Sequence, residues 1–171
     1  SYLSLLSNAD PHQEIQLCIS SPGGEVSSGL AILDTILLLP NPVTTVGLGA
    51  VASMAALLTC CGGDKGHRYL SPNSELMLHQ PISQVAGNAA EIENSTKHLL
   101  SIRRRLNALL AKASGLAPSR IVRLLRQDRW FTADEAVAFG LVDHVLSPVG
   151  AKPAHSGLVS FSDSTGQEVA R

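Results

Sequence analysis

The 171-residue sequence is poor in aromatic residues (4%) and in charged ones (16%), and it holds only three cysteines. Each shortage excludes something. Thirteen Lys+Arg against fourteen Asp+Glu give a formal charge of −1, whereas a chain held by phosphate contacts is usually basic, so no nucleic-acid partner is expected. The arginine runs Arg103–Arg105 and Arg120, Arg123 and Arg126 read instead as a solvated or subunit-facing helix surface. No apolar stretch approaches the ~20 residues of a membrane span, and no basic-then-apolar leader opens the chain. No membrane partner is expected, and the chain is assigned to the cytoplasm. Cys18, Cys60 and Cys61 lack zinc spacing and cannot all pair. They read as small buried hydrophobes in a reducing compartment, with no metal site.

Apolar residues make up 44%, enough for one buried core. Few charges on that much apolar material imply that some surface is covered by other subunits. The order of elements is that of crossover units on a largely parallel sheet: strand 15–20, the turn Ser21-Pro22-Gly23-Gly24, helix 27–39, strand 43–49, helix 50–61. Strands follow at 68–70 and 75–78. Residues 81–88 have no clean period, and a long amphipathic helix spans 89–113, stopped by Gly115. A short helix starts at Pro118. Thr132 and Glu135 form a capping box for a helix that Gly140 ends, and 141–146 reads as a last strand. From 147 onward the composition is that of a mobile tail.

Local context singles out a few residues for chemistry. Ser53 follows a β-branched strand and a small-residue run at the opening of an apolar helix, where unpaired N–H groups and the helix dipole favour a nucleophile. A capping serine in a tightly packed helix explains the same window. His79 ends an apolar strand, where sites collect in α/β folds, and it reads equally as a hydrogen-bonded structural histidine. Asp128 lies among Arg126, Arg129 and Trp130, which could shield a histidine-orienting carboxylate or pair with it at the surface. Gly24 could aim an N–H at a developing oxyanion or simply make a tight turn.

In order along the chain, SSPGGEVSSGLAILDT, GAVASMAALL, LSPNSELMLHQP and DRWFTADEAVAFGLVDHV resemble four motifs of the proteolytic subunit of the Clp protease, a serine peptidase family. The resemblance spans about residues 12–146. It implies a crotonase-like α/β fold of repeated β-β-α units over 1–146, with an inserted handle of strand plus long helix at about 81–113 and a tail at 147–171. Measured against the family, the N-terminal part of the domain is missing before the glycine turn. It further implies Ser53 as nucleophile, His79 as general base and Asp128 as orienting carboxylate, with the N–H groups of Gly24 and Met54 as the oxyanion hole. Substrate would lie extended between Gly24-Glu25-Val26 and Pro81-Ile82.

Copies of this chain or of a paralogue would form seven-membered rings stacked as a tetradecamer. An ATP-dependent unfoldase of the AAA+ class would feed them unfolded proteins. No cofactor is implied for the chain itself, which lacks a phosphate-binding Gly-x-x-x-x-Gly-Lys; ATP serves the partner. Two departures matter. Gln16 and Cys18 stand where the family has docking-pocket aromatics, and Gln127 stands where it has an arginine that pairs across rings. They motivate a second reading, a catalytically weak paralogue serving as structural partner in a mixed ring. A third, an acyl-CoA hydratase or isomerase, shares the fold but relies on carboxylates.

Overall fold

The computed structural model describes residues 2–147. The elements in chain order are α1 (Tyr2–Ala9), β1 (Ile15–Ser21), α2 (Val26–Leu37), β2 (Val43–Ala52), α3 (Met54–Gly62), β3 (Arg68–Leu70), β4 (Glu75–Leu78), α4 (Ala89–Ser114), α5 (Pro118–Leu124), β5 (Arg129–Thr132), α6 (Ala133–Ala138) and β6 (His144–Val145). The sheet runs β5-β4-β2-β3-β6, with β1 also paired to β2. Every pairing is parallel except β4 with β5.

β2 is the hub because it serves three neighbours. Its first half pairs with β1 and, through Thr45–Gly47, with β3; Ala50–Ala52 pair with β4. Between the halves Gly49 takes φ 63°, a conformation that residues with a side chain resist, and the β1 register slips at the same level. Residues 50–52 are therefore strand and not the start of a helix, as their small apolar side chains suggest. Backbone partners on β4 override helix propensity there. α3 behind the sheet is almost wholly buried, and its small residues allow close packing against Leu33, Val51 and Leu76.

Other differences have equally local causes. β5 is absent from the sequence reading because its four residues carry no period; its pairing to β4 defines it. β6 is only two residues long, since Leu141 and Val142 are buried without joining the ladder. α1 is also unanticipated. Residues 81–86 form no strand, so the strand of the implied handle is not present; this single chain offers that segment no neighbouring strand. Cys18 is exposed, not buried, because it shares the outward phase of β1 with Gln16. Cys60 is buried as expected and Cys61 is half-buried. The tail from 148 onward lies outside the described residues. No described helix is long and apolar enough to cross a membrane.

α4 is capped at its start by a reciprocal Asn88–Glu91 box and ended by Gly115 at φ 74°. It is about 39 Å long at 1.5 Å per residue. Only Leu106, Asn107 and Leu110 are buried, and Ile102 packs against the core, so its first three turns stand away from it.

One ion pair ties these layers together. Arg68, with a side chain 2% exposed, donates from Nε to Asp143 Oδ2 (2.8 Å) and from Nη2 to Oδ1 (2.6 Å). Its Nη1 also donates to the carbonyls of Cys60 and Ala113, and Nη2 to that of Gly140. A single guanidinium thus joins β3, α3, the end of α4 and the loop before β6. Burial would raise the Asp143 carboxyl, but the Arg68 hydrogen bonds, the Gly66 N–H and the charges of Arg68 and Lys65 outweigh it and hold it far below the usual carboxylate range.

Removing one partner strands the other in the interior. Arg68→Ala is expected to cost about 3–5 kcal/mol in urea unfolding. Because the folded-state pKa of Asp143 is depressed, its contribution is complete above the unfolded value of about 4 and fades as pH falls below it. The stability gap between wild type and Asp143→Asn should therefore be constant above about pH 5 and shrink below about pH 4. A gap independent of pH down to pH 2 would contradict this.

Candidate active site

Strand register assembles the site. In the parallel β2–β4 pair Ala52 stands beside Met77, and in the antiparallel β4–β5 pair Leu78 stands opposite Arg129. One residue beyond each strand end come Ser53, His79 and, leading into β5, Asp128. Three segments distant in sequence thereby converge at one edge of the sheet.

Ser53 occupies the turn from β2 into α3 with φ 55° and ψ −121°, and it is the one non-glycine residue at positive φ among those described. Its N–H donates to the Met77 carbonyl (2.9 Å), which fixes the turn to β4. Its hydroxyl makes no capping bond to the helix. Instead Oγ lies 2.8 Å from Nε2 of His79. Strained backbone at a strand-to-helix turn is the geometry that presents a nucleophile. The alternative of a capping serine does not describe this side chain.

His79 is four-fifths buried at its side chain. Its other ring nitrogen, Nδ1, is 3.9 Å from Oδ1 of Asp128, an ion-pair distance beyond hydrogen-bond reach. The Asp128 carboxylate is 70% exposed, so its arginine and tryptophan neighbours do not shield it. Arg129 turns away to lie over the rings of Phe131 and Phe139, and Trp130 is half-exposed. The Ser53–His79 pair is closed, and the His79–Asp128 leg is open.

The glycine turn after β1 packs directly beneath the nucleophile. Gly23 has φ 104°, and a Cβ there would stand 2.6 Å from Cβ of Ser53 and 3.0 Å from N of Met54. The hydroxyl of Ser21 accepts the Gly23 N–H at 3.1 Å and holds the turn. Around Gly24 the direction of a side chain is open, with no atom within 4 Å. The Met54 N–H is the first of α3, where no intrahelical acceptor exists and the helix dipole is positive. The sequence by itself does not single out Gly23. Its signal was the pairing of two glycines: one for the close approach, one for the open face.

A groove of about 760 Å³ crosses this site. Gly24, Glu25 and Val26 form one lip, Pro81 and Ile82 the other, and Ser53 and His79 lie between them. Ile82 is 80% exposed. Glu25 caps α2: its carboxylate accepts from the hydroxyl and N–H of Ser27 and the N–H of Ser28, which together lower its pKa to about 2. Beside Ser53 a small pocket of about 30 Å³ opens among Met54, Leu57, Leu78, Leu106, Leu110 and Leu125. Among the described residues no cluster of three or more His, Cys, Asp or Glu could hold a metal ion. Burial pushes the Cys61 thiol up to about 12, with Arg68 opposing, and raises that of Cys60 as well; neither is a poised nucleophile.

The sequence profile of the Clp protease family matches residues 1–149. The chain is 41% identical over 143 residues to ATP-dependent Clp protease proteolytic subunit 1 of Leifsonia xyli subsp. xyli, covering 84% of this chain and 72% of that one.

The Ser53 turn makes a testable demand on stability. Both Ser53→Ala and Ser53→Gly lose the hydroxyl, but only glycine is at ease at φ 55°. Ser53→Gly should be more stable than Ser53→Ala by about 1 kcal/mol in urea unfolding. Equal stabilities would show that the turn is unstrained.

Proposed function

Since the chain belongs to the Clp protease family of serine endopeptidases, as a proteolytic subunit, we propose that Ser53, His79 and Asp128 are its catalytic triad. The observation that carries this assignment is the 2.8 Å contact from His79 Nε2 to Ser53 Oγ, made at a strained turn on a helix N-terminus. His79 takes the hydroxyl proton as Oγ attacks the peptide carbonyl carbon. The carbonyl oxygen becomes an anion and accepts hydrogen bonds from the N–H groups of Gly24 and Met54. Collapse of this intermediate breaks the C–N bond, and His79 gives its proton to the departing amine. Water, deprotonated by His79, then hydrolyses the acyl-Ser53 ester and frees the acid. Asp128 orients the imidazole and stabilises it while charged, which requires the 3.9 Å gap to close by about 1 Å.

Substrate lies extended between Gly24–Val26 and Pro81–Ile82, bonded through its main chain. Its side chain next to the cleaved bond enters the small apolar pocket beside Ser53. Main-chain pairing reads little sequence, which suits a protease acting on many unfolded chains. Copies of this chain, or of this chain and a paralogue, assemble as stacked seven-membered rings. The exposed Tyr2 and Leu5 on α1, and Leu37 and Leu38 at the end of α2, supply apolar surface for such contacts. An AAA+ unfoldase hydrolyses ATP and delivers substrate; the chemistry at Ser53 calls for no cofactor. The open leg to Asp128 favours one competing reading, a weak paralogue that serves chiefly as a ring partner.

Hydrolysis of an unfolded protein and of a short fluorogenic peptide tests the assignment. Wild type should cleave both, and Ser53→Ala neither. Gly23→Ala should lower kcat/KM about 100-fold, because a methyl group there must displace the nucleophile turn. Cleavage by Ser53→Ala at the wild-type rate would overturn the assignment.

A further inference from the structure

Beyond its two lips, the groove is also lined by one stripe of α4: Asn94, Ser95, His98, Leu99 and Ile102. Their spacing places them on a single helix face. The stripe changes character along its length. Leu99 and Ile102, and then Leu106 and Leu110 in the small pocket, are apolar. One turn farther from the core, Asn94, Ser95 and His98 present an amide, a hydroxyl and an imidazole.

Three groups that can carry charge face this groove: Glu25, His79 and His98. Glu25 holds its carboxylate against Ser27 and Ser28 on the α2 side, where it repels another anion. His79 Nε2 is engaged with Ser53. His98 is exposed, and among the described residues no hydrogen bond or ion pair occupies its ring. An imidazole carries at least one N–H donor in either protonation state, and the Asn94 amide and Ser95 hydroxyl add donors beside it. The α2 side of the groove thus disfavours a carboxylate, and the α4 stripe carries free hydrogen-bond donors.

We propose that His98, with Asn94 and Ser95, forms a subsite that takes an acidic side chain of the bound peptide. Leu106 and His98 are separated by about 12 Å along the helix. An extended peptide covers that distance in about three to four residues. The preferred Asp or Glu therefore sits three or four residues from the one whose side chain fills the apolar pocket. This deepens the peptidase reading and rests on it for the course of the substrate.

Paired quenched-fluorescent peptides, carrying Glu or Gln at each position up to five residues from the cleaved bond, test the subsite through the ratio of their kcat/KM values. The same pairs are measured by fluorescence anisotropy for binding to Ser53→Ala protein, which needs no turnover. At one position three or four residues away, Glu should be favoured about threefold, the size expected of an exposed charged contact. His98→Ala should bring the ratio to one, and His98→Lys should restore it. A Glu preference that His98→Ala leaves intact, or no preference at any position in either assay, overturns the subsite. If no peptide is cleaved but the binding ratio follows His98, the peptidase reading fails and the subsite stands.

Discussion

The close approach of two backbone turns, Gly23 against Ser53, is the constraint on which the site depends. A missing side chain at 23 lets the chain leaving β1 touch the chain leaving β2 at the level of the nucleophile, with Cβ of Ser53 where the side chain would be. The same contact sets the open face of Gly24 beside the first N–H of α3, so one steric fact places both the attacking oxygen and the candidate donors for a developing oxyanion. The positive φ of Ser53 is the local cost of this arrangement. It is held by the Met77 carbonyl on one side and a buried helix on the other.

Behind that contact stands a rigid frame. β2 carries three neighbours in register, and Arg68 fastens the rear of α3 to the end of α4 and to Asp143. The front of the molecule is built differently. Residues 81–86 carry no ladder, the first turns of α4 rise from the core, and Asp128 is exposed at the edge of β5. The Ser53–His79 pair, anchored on β2 and β4, is closed at 2.8 Å, whereas the His79–Asp128 leg at the exposed edge is open at 3.9 Å.

Sequence patterns carried much of this, for identifiable reasons. Strands at 15–20, 68–70 and 75–78 alternate or cluster apolar residues between turn signals, and α4 has an unbroken helical period with a glycine stop, so each is legible alone. What failed depended on partners. Ala50–Ala52 resemble helix until β4 claims them, β5 exists only as a neighbour of β4, and Cys18 faces outward by the phase of a strand whose composition suggests burial. Ser53 and His79 stand out as candidates from context. Their meeting comes from register between β2 and β4, which no window of the sequence contains. Asp128 is the clearest case: its neighbours in sequence suggest shielding, yet Arg129 turns to Phe131 and Phe139 and leaves the carboxylate in solvent.

Whether Ser53 is a nucleophile activated by His79 is tested most directly by reaction with a serine-directed fluorophosphonate, followed by native mass spectrometry and peptide mapping. One adduct per subunit is expected, mapped to Ser53, carried by a ring-sized particle and lost in His79→Ala. Unlabelled rings, or an adduct on any other serine, would contradict it.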